Sequence, residues 1–537
     1  MNSFAVPLED IFSACYQLIA RKAWFQLVRE LGGVEQWANL PGIVHSRTDE
    51  LALPPFAGEL ANLEAAVHAC GAMQEQLPHR VTEKTLNPSL RIFNLHWQGL
   101  TAALESVDLK NFSPAAGAET VLVWLDPRQG KVRTRPATDN DLLALKIIAE
   151  KLPIGPTAME HGVAVANLHR AVDLARNKGL ILVPESLLVR DRQRFVAQGK
   201  DFERFLKPRG FTLQWHVTQA CDLNCKHCYD RSSRQAVSLE RAFRVLDELE
   251  SFCESRQVRG KVTFTGGNPL LYPHFDDLYR ETVKRGFPVG ILGNPTSRRR
   301  LEELIAIQPP SFYQVSLEGL PEHNDFVRQA GYFDRVMEFL PVLKDLDIPS
   351  RVMLTLTRDN LEQVLPLGEI LRDRADIFNF NRLSAVGEGA RLLMPEPEDF
   401  RAFLWEYQKK AGHNPVLGFK DNLINIIRDE QGRKPFGGCT GFGCGAGFNF
   451  VTLLSDGEIH ACRKFPSLLG NIFRHGLAGA YDSPAGQRYR GGSAACRGCK
   501  LLPACGGCQA VIYSLGLDPS RDRDPYCFYA QAPRQSV

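Results

Sequence analysis

Eleven of the fourteen cysteines stand where they could hold metal. Three of them form Cys221-Asp-Leu-Asn-Cys225-Lys-His-Cys228. Three thiolates on one short loop can hold three corners of a cubane iron–sulfur cluster, whereas a complete all-cysteine set needs four. One iron then keeps an open position, where a small molecule can bind as it does at catalytic metal sites. A zinc ion completed by His227 or by a distant ligand would use the same residues. The other eight run Cys439-x4-Cys444, Gly457-x4-Cys462, Cys496-x2-Cys499-x5-Cys505-x2-Cys508 and Cys527. Eight thiols suffice for two four-cysteine sites, either clusters or zinc ribbons. Spacing alone also allows Cys496, Cys499, Cys505 and Cys508 to form one knot. Cys15, Cys70 and Cys253 are scattered and read as packed, inert thiols.

The elements that position these residues alternate regularly. FTLQWHVTQA, KVTFTG, PVGILGN, FYQVSLEG, RVMLTLT and IFNFNRLS read as strands, separated by helices such as SLERAFRVLDELESF, FDDLYRETVKRG and YFDRVMEFLPVLKDL. Six strand–helix units in sequence predict an α/β core, a partial (β/α)6 TIM-like barrel over 210–415, with its chemistry at the C-terminal strand edge. The Cys221 loop directly follows the first strand. Thr265-Gly266-Gly267-Asn268-Pro269 follows the second, Ser316-Leu317-Glu318-Gly319 the fourth, and Gly387-Glu388-Gly389 the sixth.

Upstream, residues 1–138 read as mostly helical with a small β element, VLVWLDPRQGKVRTRPA, as strand, turn and strand. Residues 139–192 follow the order of a winged helix-turn-helix, three helices and an apolar strand pair, and 193–209 read as a linker helix. Residues 416–537 form the cysteine-rich end. With 64 Lys+Arg against 61 Asp+Glu, the formal charge is +3. No global basic field draws nucleic acid or anionic lipid, and the third helix of the winged module offers thin cover for a phosphate backbone. No nucleic acid partner is expected. Glu9 and Asp10 stand where a secretory signal would be basic or apolar, and no stretch approaches 18 uncharged apolar residues. The expected location is therefore the cytoplasm, with no membrane partner, and a reducing compartment favours metal sites over disulfides.

The CxxxCxxC loop after the first of six strand–helix units resembles the radical S-adenosylmethionine (SAM) superfamily, over about 205 residues. That resemblance implies that Cys221, Cys225 and Cys228 hold a [4Fe-4S] cluster whose open iron chelates SAM. It further implies reductive cleavage of SAM to a 5′-deoxyadenosyl radical that abstracts a substrate hydrogen. Gly266-Gly267-Asn268-Pro269 resembles the family's GGEP element, which grips the SAM amino group, with Asn268 replacing the glutamate. Ser316, Glu318 and Arg328 resemble its SxDG and following Arg, implying contact with the SAM carboxylate and ribose; Gly387-Glu388-Gly389 would then pass close to adenosine.

The cysteine-rich end resembles the SPASM extension. By that resemblance Cys439, Cys444, Cys462 and Cys508 hold one auxiliary cluster and Cys496, Cys499, Cys505 and Cys527 a second, three [4Fe-4S] clusters in all. SPASM proteins are mostly peptide and protein maturases. In the sulfatase maturases an Asp base follows the Cys of Gly-x4-Cys; here Arg463 stands there and cannot take a proton at physiological pH. The winged module instead resembles leader-binding domains, so the implied partners are a peptide or protein substrate with a leader region and an external one-electron reductant of flavodoxin or ferredoxin type. The subgroup it looks most like is the selenobiotic, or thio(seleno)oxazole-modification, maturases. Two other readings are an iron–sulfur winged-helix regulator that senses redox state and binds DNA, and a radical SAM enzyme acting on a small metabolite or porphyrin.

Overall fold

The structure, a computed structural model, describes residues 6–529 except 79, 107, 197 and 198. It divides into two compact units: one takes in the residues up to Pro153 together with Asn167–Glu185, the other Ile154–Ala166 and the residues from Ser186 onward.

In the first unit, helices that include Arg21–Leu31, Leu40–Ser46 and Ala57–Gly71 bury Trp24, Leu27, Leu60 and Leu63 in a common core. The expected strand pair forms as Ala115–Asp126 and Lys131–Pro136, joined by a third antiparallel strand, Arg91–Gln98. Phe93, Leu95 and Trp97 of that third strand alternate with exposed Asn94, His96 and Gln98, a period-two signal that was not read as a strand. Of the helices of the winged pattern, Asp139–Ala149 and most of Val165–Lys178 belong to this unit, whereas Ile154–Glu160 belongs to the second. The wing does not form as expected. Ile181–Leu182 pairs antiparallel with Thr85–Leu86, and 187–190 is no strand. Pro184 has no amide to donate to a ladder, and the Leu187 amide donates instead to the Arg256 carbonyl at 2.9 Å. The expected linker helix over 193–209 shrinks to Lys200–Glu203, flanked by Gly199 at φ +92° and by Pro208; positions 197 and 198 lie outside the described residues.

All six expected core strands form: β1 (Gly210–Thr218), β2 (Arg259–Gly266), β3 (Val289–Leu292), β4 (Phe312–Ser316), β5 (Ser350–Leu356) and β6 (Ile377–Arg382). They are parallel in the order β6-β5-β4-β3-β2-β1. The intervening helices are amphipathic. Leu239–Ser255, for example, is capped by Ser238 and buries Val245, Leu246, Leu249 and Phe252. The sheet does not stop at the core. β7 (Phe450–Leu453) pairs parallel with β1, and β8 (Glu458–His460) and β9 (Leu468–Asn471) follow antiparallel, so the cysteine-rich end continues the same nine-stranded sheet.

Strand alternation sorts the core into two faces. Phe211, Leu213, Trp215, Val262, Phe264, Val315, Val352 and Leu354 are wholly buried. Their neighbours Thr212, Gln214, Lys261, Thr263, Gln314, Ser316, Arg351 and Thr355 line an interior cavity. A closed barrel of this class fills its interior with bulky branched side chains. Here the polar inner face leaves a cavity of about 720 Å³.

Candidate active site

Cys221, Cys225 and Cys228 line one end of the cavity, on the loop that leaves β1 at its C-terminal edge. The two glycines after β2 set that loop's position. The Gly267 amide donates to the Thr218 carbonyl at 3.0 Å and the Asn268 amide to the Ala220 carbonyl at 2.8 Å. A Cβ on Gly267 would lie 2.3 Å from the Ala220 oxygen, and Gly266 adopts φ +140° with its Cβ position 2.1 Å from the Thr218 oxygen. Only glycine allows this approach. Gly387, at φ +58°, lies against the same loop from the other side: its Cβ would meet the Tyr229 and Cys228 carbonyls, and the Glu388 amide donates to the Cys228 carbonyl at 2.9 Å. Gly387-Glu388-Gly389 therefore braces the cysteine loop and does not itself line the cavity.

Gly266, Gly267, Ser316 and Arg328 line the cavity; Asn268, Pro269 and Glu318 do not. Asn268 is buried, and its carbonyl oxygen accepts from the Leu270 amide at 3.3 Å. Its amide nitrogen donates to the Asp222 carboxylate at 3.1 Å, and Asn294, at the end of β3, donates to the same oxygen at 2.5 Å and approaches the Cys221 sulfur at 3.8 Å. The carboxylate missing at 268 thus stands next door at Asp222. Glu318 is likewise turned inward. Its side chain is 2% exposed and receives Arg328 at 2.5 and 3.1 Å, the Thr355 amide at 2.7 Å and His227 Nε2 at 3.3 Å. Burial by itself raises the Glu318 carboxyl; the charges of His227 and Arg328 and the Thr355 amide bring it below the ordinary range. Arg328 reaches the Cys225 sulfur at 3.8 Å. Glu318 therefore holds Arg328 against the cysteine loop, and His227, engaged with Glu318, is not turned toward the thiols. Asn294 carried no motif of its own, and Asp222 and His227 lie inside the Cys221 loop, where His227 was weighed only as a zinc ligand.

Cys439, Cys444, Cys462 and Cys508 line the opposite wall. Thiol neighbours sort the eight C-terminal cysteines. Burial pushes Cys444 up to about 11 and Cys462 to about 12, and for both the nearby thiols are Cys439 and Cys508. Burial pushes Cys496 up to about 12 and raises Cys499 and Cys505, and all three have Cys527 as a thiol neighbour. The groups are thus 439/444/462/508 and 496/499/505/527, tied by the Cys444 amide donating to the Cys505 carbonyl at 2.9 Å. Such thiols stay protonated near neutrality until an incoming metal displaces the proton. Among the described residues no three His, Cys, Asp or Glu side chains converge to the spacing of a single ion. Each group supplies four thiols, the complete donor set of a four-iron cluster. Between the groups, Arg382 at the end of β6 binds Asp421 at 2.7 Å and Asp524 at 2.7 and 2.9 Å. Arg463 is paired with Asp230, so the position of the sulfatase-type base holds a buried ion pair. Cys15, Cys70 and Cys253 are buried, with thiols pushed up chiefly by that burial.

Comparison with known proteins agrees with this geometry. The family model of the radical SAM superfamily matches residues 215–369, and that of the SPASM iron-sulfur cluster-binding domain matches 444–509. The antilisterial bacteriocin subtilosin biosynthesis protein AlbA of Bacillus subtilis is 28% identical over 291 residues, 52% of this chain and 60% of that protein. The AdoMet-dependent heme synthase of Methanosarcina barkeri is 25% identical over 343 residues, 59% of this chain and 96% of the synthase. The mycofactocin maturase MftC of Mycolicibacterium smegmatis is 28% identical over 350 residues, 61% and 85% of the two chains. Among solved structures, Streptococcus suis SuiB bound to precursor peptide SuiA shares the fold at a TM-score of 0.50 and 16% identity, over 76% of this chain and 96% of that one.

Proposed function

We propose that this chain, a radical SAM enzyme with a C-terminal SPASM domain, modifies a ribosomally made peptide or protein. The observation that carries the reading is the cavity itself, with the Cys221 loop on one wall and the 439/444/462/508 group on the other. Cys221, Cys225 and Cys228 would hold one [4Fe-4S] cluster with an open iron, and the two C-terminal groups one auxiliary cluster each. When bound, the first cluster and SAM supply a reductive cleavage whose radical abstracts a substrate hydrogen.

The residues of the chain do the positioning. Gly266 and Gly267 bring backbone up to the cysteine loop, and with Asn268 and Pro269 they frame the SAM amino end, where Asp222 supplies the negative charge that Asn268 lacks. Ser316 and Arg328 face the carboxylate and ribose end, and Glu318 acts through Arg328. The auxiliary groups, fully ligated by thiolate, leave no open iron and serve electron transfer or support. An external flavodoxin or ferredoxin would deliver the electron. Among the described residues no helix is long and apolar enough to cross a membrane; the reading places the enzyme in the cytoplasm and needs neither membrane nor nucleic acid. The names of AlbA, a bacteriocin biosynthesis protein, and MftC, a maturase, both 28% identical, support a peptide substrate, while the leader and the selenobiotic-type subgroup rest on the sequence resemblance alone. The heme synthase relative, matched over 96% of its length, favours a porphyrin as the second reading.

The test is anaerobic reconstitution followed by assay of iron, sulfide and 5′-deoxyadenosine with dithionite and SAM. About twelve irons per chain are expected, falling to about eight with all turnover lost when Cys221, Cys225 and Cys228 become Ala. Zinc in place of iron, or clusters without 5′-deoxyadenosine, would refute the reading.

A further inference from the structure

The deep end of the cavity has a composition that the chemistry above does not use. Lys261, Phe312 and Arg351 lie near the N-terminal ends of β2, β4 and β5 and all line the cavity. The Phe312 ring lies across β3 because residue 290 is glycine: a Cβ there would sit 2.3 Å from ring carbons. From the two flanking strands, Lys261 Nζ and Arg351 Cζ come over this ring, 4.6 and 3.9 Å from its centroid. Among the described residues neither is paired with a carboxylate. The charges that reach Lys261 are those of Arg351 and Arg259, like its own, and Arg351 is affected by burial alone. Lys420 lies on the same wall, within reach of the charges of Arg351 and Cys439. The carboxylates in the wall are committed elsewhere, Asp230 to Arg463 and Asp421 to Arg382. Two like charges held together inside a cavity, with no counter-ion among the described residues, make a site for an anion from outside it.

We propose that Lys261 and Arg351, seated on Phe312, bind a carboxylate of the substrate at the floor of the barrel. The guanidinium fork suits a planar carboxylate and the ammonium adds a second charge-assisted contact. Five residues of strand separate Lys261 from Gly266, about 16 Å at the rise of a strand. A carboxylate on the floor therefore belongs to an extended substrate whose reacting carbon lies near the cysteine loop. This deepens the reading above and rests on it for the identity of the substrate: a peptide supplies an acidic side chain or its C-terminus, a porphyrin a propionate.

Calorimetry on the reconstituted full chain with SAM tests the site, using acetyl-Gly-Gly-Glu-Gly-Gly-amide, its Gln counterpart and coproporphyrin III as probes. The Glu peptide is expected to bind roughly tenfold or more tightly than the Gln peptide. That preference disappears in Lys261→Met and Arg351→Met, persists in Lys261→Arg, and is unchanged in Arg299→Gln, an exposed control on the Arg298–Ile307 helix. Iron content and melting temperature of each variant establish that it folds. Coproporphyrin III that binds through the same two residues, with no peptide binding, upholds the carboxylate site and overturns the peptide as its source. Equal binding of Glu and Gln peptides, or affinity unaffected by both Met variants, overturns the site. Formation of 5′-deoxyadenosine by the wild-type chain, measured alongside, fails independently if the radical reading is the part at fault.

Discussion

Arg382 provides a direct measure of how firmly the core holds its cysteine-rich end. Its side chain is 3% exposed and its two anionic partners, Asp421 and Asp524, are 6% and 1% exposed. The Asp524 carboxylate in turn accepts from the Cys508 amide at 2.9 Å, and its backbone carbonyl accepts from the Cys527 amide at 2.9 Å, so one residue ties β6 to a member of each cysteine group. Arg382→Met removes the cation and leaves two buried carboxylates unpaired. Breaking a buried pair from one side costs about 3–5 kcal/mol, most of it the penalty on the stranded charge. For a unit of roughly 350 residues the unfolding entropy is about 0.75 kcal/mol per kelvin, so the expected drop in melting temperature is about 4–7 °C. Iron should also be lost from both C-terminal groups. The reasoning makes a sharper demand of Arg382→Met/Asp421→Asn/Asp524→Asn, which strands no charge and should recover much of the loss despite having fewer polar contacts. Differential scanning calorimetry of the reconstituted proteins reads both variants. A triple variant less stable than Arg382→Met would refute the assignment of the cost to stranded charge.

Three further outcomes are open to measurement. Gly267→Ala forces a Cβ onto the Ala220 carbonyl and should cost about 1–3 kcal/mol while weakening SAM binding, seen as a raised KM for 5′-deoxyadenosine formation; an unchanged KM contradicts the latch described for this turn. Asp141 is wholly buried between Arg135, Thr138 and Lys178, which hold its carboxyl well below the usual range against the opposing effect of burial. A depressed carboxyl stabilises the fold above its ordinary pKa and ceases to do so as pH falls. Stability of the first unit should therefore decline below about pH 4, and Asp141→Asn should remove about 2–3 kcal/mol at pH 7 and flatten that decline, as read by urea melts at several pH values. Finally, Cys508→Ala should share its iron loss and spectrum with Cys462→Ala, and Cys505→Ala with Cys527→Ala. Matching spectra for the 505 and 508 variants would restore the single knot that spacing alone allows.

The sequence showed the strands and the cysteine loop because both are local signals: period-two burial along β1 to β6, and three thiols within eight positions. It also located Gly266 and Gly267, whose function is set by backbone clearance at one turn. What it missed lies in side-chain direction and in pairings across long separations. The Glu318 side chain is drawn inward by His227 and Arg328, and Asn268 is tied to the carboxylate of Asp222, 46 positions earlier. The wing strand fails through a single proline and a competing acceptor at Arg256. β7, four residues long like β3, was not read as a strand, although its pairing with β1 makes the cysteine-rich end part of the core sheet.

The two C-terminal cysteine groups cross in sequence. The first is complete only at Cys508, after Cys496, Cys499 and Cys505 of the second have passed, and the second waits for Cys527. About 300 residues separate Cys228 from Cys527, or some 15–60 s of synthesis at about 5–20 residues per second. The N-terminal thiol trio therefore emerges long before its counterparts, and the chain imposes a timetable on metal loading. On the proposed ligand sets, the Cys221 site could be furnished while the rest of the chain is still being made, whereas the other two are complete only once Cys508 and then Cys527 have emerged. A shortage of the cellular assembly machinery would then yield molecules loaded at the front and empty at the back, rather than a random mixture.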